Sequence, residues 1–152
     1  MWKYLKYLWY IILLALFVVF IIYYNKSSDV AMKQSEQYLK NNVEFEGYVT
    51  GFEQSNNHAF GVIHLKLTKS NVQKFNKTIK NNIYPYRIQG TIAELYTTIP
   101  DGLQKLDVYK VSSNTHQYTI TYKSNNKSYT SDLYIIKDPY NIDFVKENTI
   151  FK

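Results

Sequence analysis

The sequence predicts a single N-terminal transmembrane helix followed by a small, mainly-β domain. Three observations carry this: an unbroken apolar run at positions 8–24, "LWYIILLALFVVFIIYY"; a change to two-residue periodicity at Val43; and turn-forming clusters that cut the remainder into short segments.

The apolar run comes first. Its 17 residues reach about 25 Å as a helix at about 1.5 Å per residue, and Leu5 and Tyr7 bring it close to the roughly 30 Å of bilayer hydrocarbon. A secretory signal has an apolar region of about 7–15 residues closed by small residues. This run ends instead in Tyr23-Tyr24-Asn25-Lys26, so the segment is expected to be retained. Trp2, Tyr4, Tyr7, Trp9 and Tyr10 cluster at one end and Tyr23 and Tyr24 at the other, where amphipathic rings settle at a membrane interface.

Lys3 and Lys6 on one side nearly balance Lys26, Lys33 and Lys40 on the other. A long following domain crosses largely regardless of its charge, while a short basic head stays inside. The expected arrangement is a single-pass protein with a cytoplasmic amino terminus and an extracytoplasmic domain. Residues 1–24 form the signal-anchor. Residues 25–42 form a partly helical juxtamembrane tether, with Ser28 or Asp29 as N-cap, and residues 43–152 form the β domain.

In "VEFEGYVTGF" Val43 and Phe45 alternate with Glu44 and Glu46, and Gly47 and Gly51 suggest a bulge or bend. "QSNN" supplies a turn into "AFGVIHLKL", completing a hairpin. "SNVQKFNKTIKNN" reads as a helix capped by Ser70, with Val72, Phe75 and Ile79 on one side and Lys74, Lys77 and Lys80 on the other. Extended structure resumes over residues 86–99 and turns at "IPDG". Three short strands follow, "LDVYKVS", "HQYTITY" and "YTSDLYII", the last stopped by Asp138-Pro139; the tail "NIDFVKENTIFK" suits a strand or a helix equally. The expected architecture is a small antiparallel, partly open β-barrel, OB-like or SH3-like, with one helix between strands 2 and 3; a two-sheet sandwich is the alternative.

Composition narrows the chemistry. The chain has 152 residues, of which 18 are basic and 12 acidic. Arg87 is the one arginine among the basic residues. Base-edge readers enlist the flat guanidinium, so specific nucleic-acid recognition is not expected. Cysteine is absent, which excludes disulfides and thiolate metal sites. No nucleophile elbow or phosphate-binding glycine loop occurs, and the five glycines stand singly. His58 and His64 lie six residues apart along one strand, about 20 Å at roughly 3.3 Å per residue, too far to share a metal. Glu53 is expected to face His58 across the hairpin turn, and each histidine, His116 included, is assigned a surface or packing role. No catalytic residue, cofactor, metal or small-molecule substrate is expected, and the protein reads as a non-enzyme.

The 16 tyrosines are the remaining anomaly. Tyrosine is enriched at interfaces, and Tyr84, Tyr86, Tyr96 and Tyr109 are the candidates for a partner-binding patch. The expected function is a non-catalytic binding or assembly module, held at the bilayer by residues 8–24 and serving a membrane-associated protein partner. Two alternatives stand beside it. One is a lipid-surface module using the basic helix face of Lys74, Lys77 and Lys80. The other is an enzyme whose pocket the sequence does not reveal.

Overall fold

A computed structural model of the chain describes the backbone of residues 2–151 and the side chains of residues 9–26, 33 and 35–151. Two compact units result, one up to Gln37 and one from Tyr38 onward. Helix α1, Trp2–Leu39, is continuous, so the stretch assigned to the tether is helical up to Leu39 and non-helical over residues 40–42. Within it Trp9–Lys26 is long and apolar enough to cross a membrane, and none of that stretch is buried. Trp9, Tyr10, Tyr23 and Tyr24 are exposed at its ends. The side chains of Trp2, Lys3, Tyr4, Leu5, Lys6, Tyr7, Ser28 and Asp29 lie outside the described residues.

The second unit is mainly β. In chain order its strands are β1 Glu44–Gln54, β2 Phe60–Ser70, β3 Lys74–Phe75, β4 Thr78–Ile79, β5 Asn82–Ile83, β6 Tyr86–Gln89, β7 Ile92–Thr98, β8 Val108–Ser112, β9 Gln117–Thr121 and β10 Ser128–Asp132. Helix α2, Pro139–Asn148, follows. Eight strands form one curled half-barrel sheet in the order β10-β9-β8-β1-β2-β7-β6-β3, and β4-β5 make a separate small hairpin. Every pairing in the large sheet is antiparallel.

The curl originates where the sequence places its glycines. The β1–β2 register slips between Glu46 and Gly47 and again between Val49 and Gly51. The extra residues are Thr68 on β2 and Thr50 on β1, and each hydroxyl donates across the ladder, to Glu46 O at 3.2 Å and His64 O at 3.1 Å. Each bulge adds local twist and bends the strand carrying it. Gly47 also permits close approach: a Cβ there would sit 2.7 Å from the Lys66 carbonyl oxygen.

The neighbouring strands β2 and β7 carry buried residues on both faces. Ile63, Leu65, Ala93 and Leu95 point into the inner core with Val49, Ile88 and Tyr109. On the outer face Phe60, Val62 and Tyr96 pack with Val145 of α2. Asp138 caps α2 by accepting from Asn141 N at 3.0 Å, Pro139 starts it, and Ile142 and Val145 are its buried side. The ambiguous tail is therefore a helix as far as Asn148, with an extended end beyond it.

Three expectations are corrected. The helix between strands 2 and 3 does not form. Asn71, Val72, Asn76, Thr78, Asn81 and Asn82 are all weak helix formers, and pairing serves Phe75 better: opposite Ile88 it is buried between the rings of Tyr84 and Tyr86, each centroid 5.0 Å away. The Ser70 hydroxyl turns to Val72 instead of capping, donating to its carbonyl at 2.6 Å. Second, residues 86–99 are not one strand, because Gly90 at φ 62 turns the chain between β6 and β7. Third, β1 and β2 end their ladder at Gln54 opposite Gly61, so Glu53 stands opposite Val62 and not His58, which occupies the loop at φ 50.

Candidate functional site

The residues singled out from sequence are dispersed. Lys74 lies on β3, Lys77 sits 5.9 Å from the Phe75 ring centroid, and Lys80 is in the β4–β5 turn, so the shared basic helix face is absent. Tyr84, Tyr86, Tyr96 and Tyr109 are all buried, Tyr109 completely. Their rings do packing work: Tyr84 and Tyr86 join Phe75 and Phe45, Tyr109 stacks toward Tyr118 at 5.7 Å, and Tyr96 is on the opposite face under α2. Burial raises the Tyr86 hydroxyl pKa to about 12, and the hydroxyl donates to Asn41 Oδ1 at 2.9 Å. Burial pushes Tyr109 and Tyr96 up as well. The exposed tyrosines of the domain are others, Tyr129, Tyr134 and Tyr140 among them.

A charged row crosses the outer face. His64 stands opposite Glu94, and Glu94 opposite Arg87, so β2, β7 and β6 each contribute one member. The Thr50 bulge places Gly51 opposite His64 and brings Glu53 of β1 onto the imidazole. His64 Nε2 meets Glu53 Oε2 at 2.5 Å, and Nδ1 lies 3.5 Å from Glu94 Oε1, an ion-pair distance without a hydrogen bond. The signs alternate along the row: Glu53, His64, Glu94, Arg87.

Glu94 is completely buried. Burial alone would raise its pKa, but the donors around it win and the net shift is downward. Its Oε2 accepts from Tyr96 Oη at 2.6 Å and Thr149 Oγ1 at 2.7 Å, and its Oε1 accepts from Ile150 N at 2.7 Å. His64 is raised, foremost by Glu94 and also by Glu53, against the opposing effect of burial. The imidazole lies between the two carboxylates, Nε2 against Glu53 and Nδ1 facing Glu94, an arrangement that does not converge on a metal. Among the described residues no group of three acidic, histidine or cysteine side chains is placed to hold one.

The same row fastens the end of the chain. Glu94 holds Thr149 and Ile150, while Arg87 Nη1 donates to Phe151 O at 2.6 Å and its guanidinium lies 5.2 Å from the Phe151 ring centroid. Beside this clamp a cleft of about 500 Å³ opens between α2 and the β4–β5 hairpin. Ile79, Ile83, Ile142 and Val145 give it apolar walls, and Lys77 and Lys146 stand among its lining. Tyr96 and Thr149 also line it, and their hydroxyls are the ones bound to Glu94. A titratable carboxylate therefore lies one hydroxyl behind the cleft wall, in a pocket of ligand size.

Comparison with family models, curated proteins and solved structures returns no match for this chain. Sequence reasoning missed His64, Glu94 and the α2 side of the cleft. Two signals were present: Gly51 beside Thr50, which moves Glu53 by one register, and Asp138-Pro139, which starts a helix as readily as it stops a strand.

Proposed function

We propose that the protein is a single-pass, membrane-anchored binding module that acts without catalysis. Its amino terminus is cytoplasmic, and its β domain is displayed outside to receive an apolar segment of a membrane-associated protein in the cleft beside α2. The observation that carries the reading is the Trp9–Lys26 stretch, a helix with every side chain free to face lipid, in the same chain as a compact β domain. Tethering confines the domain to a layer near the bilayer and raises its effective concentration toward partners held in the same membrane.

The cleft supports the binding half of the reading. Its walls are aliphatic, and Lys77 and Lys146 are exposed, although Lys146 shares its charge with Asp143 at 2.8 Å. An apolar segment flanked by acidic residues complements both features. A photoreactive residue placed at Ile79 in the full chain in intact cells tests it. The expected result is an adduct with a membrane-associated protein that a probe at Lys105, on another part of the surface, does not give. Equal labelling from both positions, or monomer alone, overturns it. Orientation is checked separately by proteolysis of intact cells, where a fully shielded β domain contradicts the extracytoplasmic placement.

A further inference from the structure

The sheet ends at β10, and that edge is unusually open. All five residues of β10 are exposed. Tyr122 N donates to Lys127 O at 2.9 Å and Leu133 N to His116 O at 2.7 Å, at the two ends of the β9–β10 ladder. Antiparallel pairs alternate between bonded and non-bonded. With Ser128 opposite Thr121 and Asp132 opposite Gln117, Tyr129 and Ser131 spend their backbone groups on β9. The N–H and C=O groups of Ser128, Thr130 and Asp132 therefore point off the edge. The devices that usually guard such an edge are lysine, proline and bulges. "SYTSD" has no lysine or proline, and its pairing with β9 is regular.

We propose that this edge pairs with β10 of a second copy of the chain, joining two half-barrel sheets into one about a two-fold axis at Thr130. One register pairs all three outward residues: Thr130 faces Thr130 of the second copy, and Ser128 faces Asp132. The hydroxyl of Ser128 then meets a carboxylate, and the Lys127 end of each strand lies against the acidic end of the other. On the opposite face Tyr129, 55% exposed and set edge-on to Tyr122 at 5.8 Å, becomes the diagonal neighbour of Tyr129 in the second copy. Five residues of edge are a small interface by the standard of stable complexes. Anchoring two copies in one membrane supplies the concentration that this area alone does not. The pairing thus rests on the membrane anchoring of the proposed function, but it is separate from the cleft, so the cleft reading can fail without it.

The chain has no cysteine, so single cysteines report the register in isolated membranes containing the full chain. Facing residues of a bonded pair stand about 5.5 Å apart at Cα, within the roughly 4.4–6.8 Å span of a disulfide. Under mild oxidation Thr130→Cys is expected to give a linked homodimer in high yield. Ser128→Cys alone and Asp132→Cys alone are expected to give none, because like positions lie about 13 Å apart along the strands at roughly 3.3 Å per residue. Co-expressing those two variants restores the link. No dimer from Thr130→Cys, equal linking at all three positions, or a link from Thr130→Cys to a different protein overturns the proposal. Since the co-expressed pair leaves Thr130 intact, it reads the same interface should Thr130→Cys disturb the strand.

Discussion

Replacing Glu94 by glutamine keeps the shape of the buried clamp and removes its charge. The amide NH₂ group faces Tyr96 and Thr149, whose hydroxyls can turn to accept, while the amide oxygen still accepts from Ile150 N. What is lost is charge assistance on three hydrogen bonds and the anion 3.5 Å from His64. Relief of burial offsets part of this, but the lowered pKa of Glu94 shows that its surroundings favour the ionised form despite that burial. The net expectation is a loss of about 1–3 kcal/mol. The full chain in detergent micelles, unfolded by urea and followed by tyrosine near-ultraviolet circular dichroism, reads this loss.

The same variant has a pH signature. His64 is raised above its ordinary 6.5 when folded, so its contribution is fully present below pH 6.5 and fades as pH rises through the folded value. Glu94 is held below its ordinary 4.5, so its contribution is present above pH 4.5 and fades as pH falls through the folded value. The native chain is expected to gain most from the clamp between pH 4.5 and 6.5. In Glu94→Gln the upper limb weakens, and the His64 imidazole, followed by NMR, titrates closer to 6.5. Native stability together with an unmoved His64 titration would refute the charge reasoning.

Gly47→Ala is expected to cost about 1–3 kcal/mol, because its Cβ meets the Lys66 carbonyl oxygen at 2.7 Å; Gly51→Ala, whose Cβ comes no closer than 3.9 Å to His64, is the matched control, and urea midpoints compare them. Asp138→Ala removes the acceptor for Asn141 N and is expected to cost about 1 kcal/mol, seen as faster hydrogen exchange through the first turn of α2.

Periodicity carried the first half of the domain well. The alternation in "VEFEGYVTGF" and "AFGVIHLKL" identifies β1 and β2, and Gly47 and Gly51 mark the two slips in their register. Spacing failed at residues 70–82, where Val72, Phe75 and Ile79 fit a helical face equally well. The deciding quantity there was the aromatic neighbourhood of Phe75, supplied by residues distant in sequence. The tyrosines show the same limit. Composition reports that rings are abundant, whereas the inner core, filled from β6 and β8, takes up Tyr86 and Tyr109. The clamp was the least legible part. His64, Glu94 and Arg87 meet only through the register of three strands, and no local motif links them.

The account rests on Trp9–Lys26 staying in the bilayer. Alkaline carbonate extraction of membranes from cells expressing the full chain tests this most directly. The expected result is full-length protein in the membrane pellet; release into the supernatant, or a soluble product beginning beyond Tyr24, would contradict it.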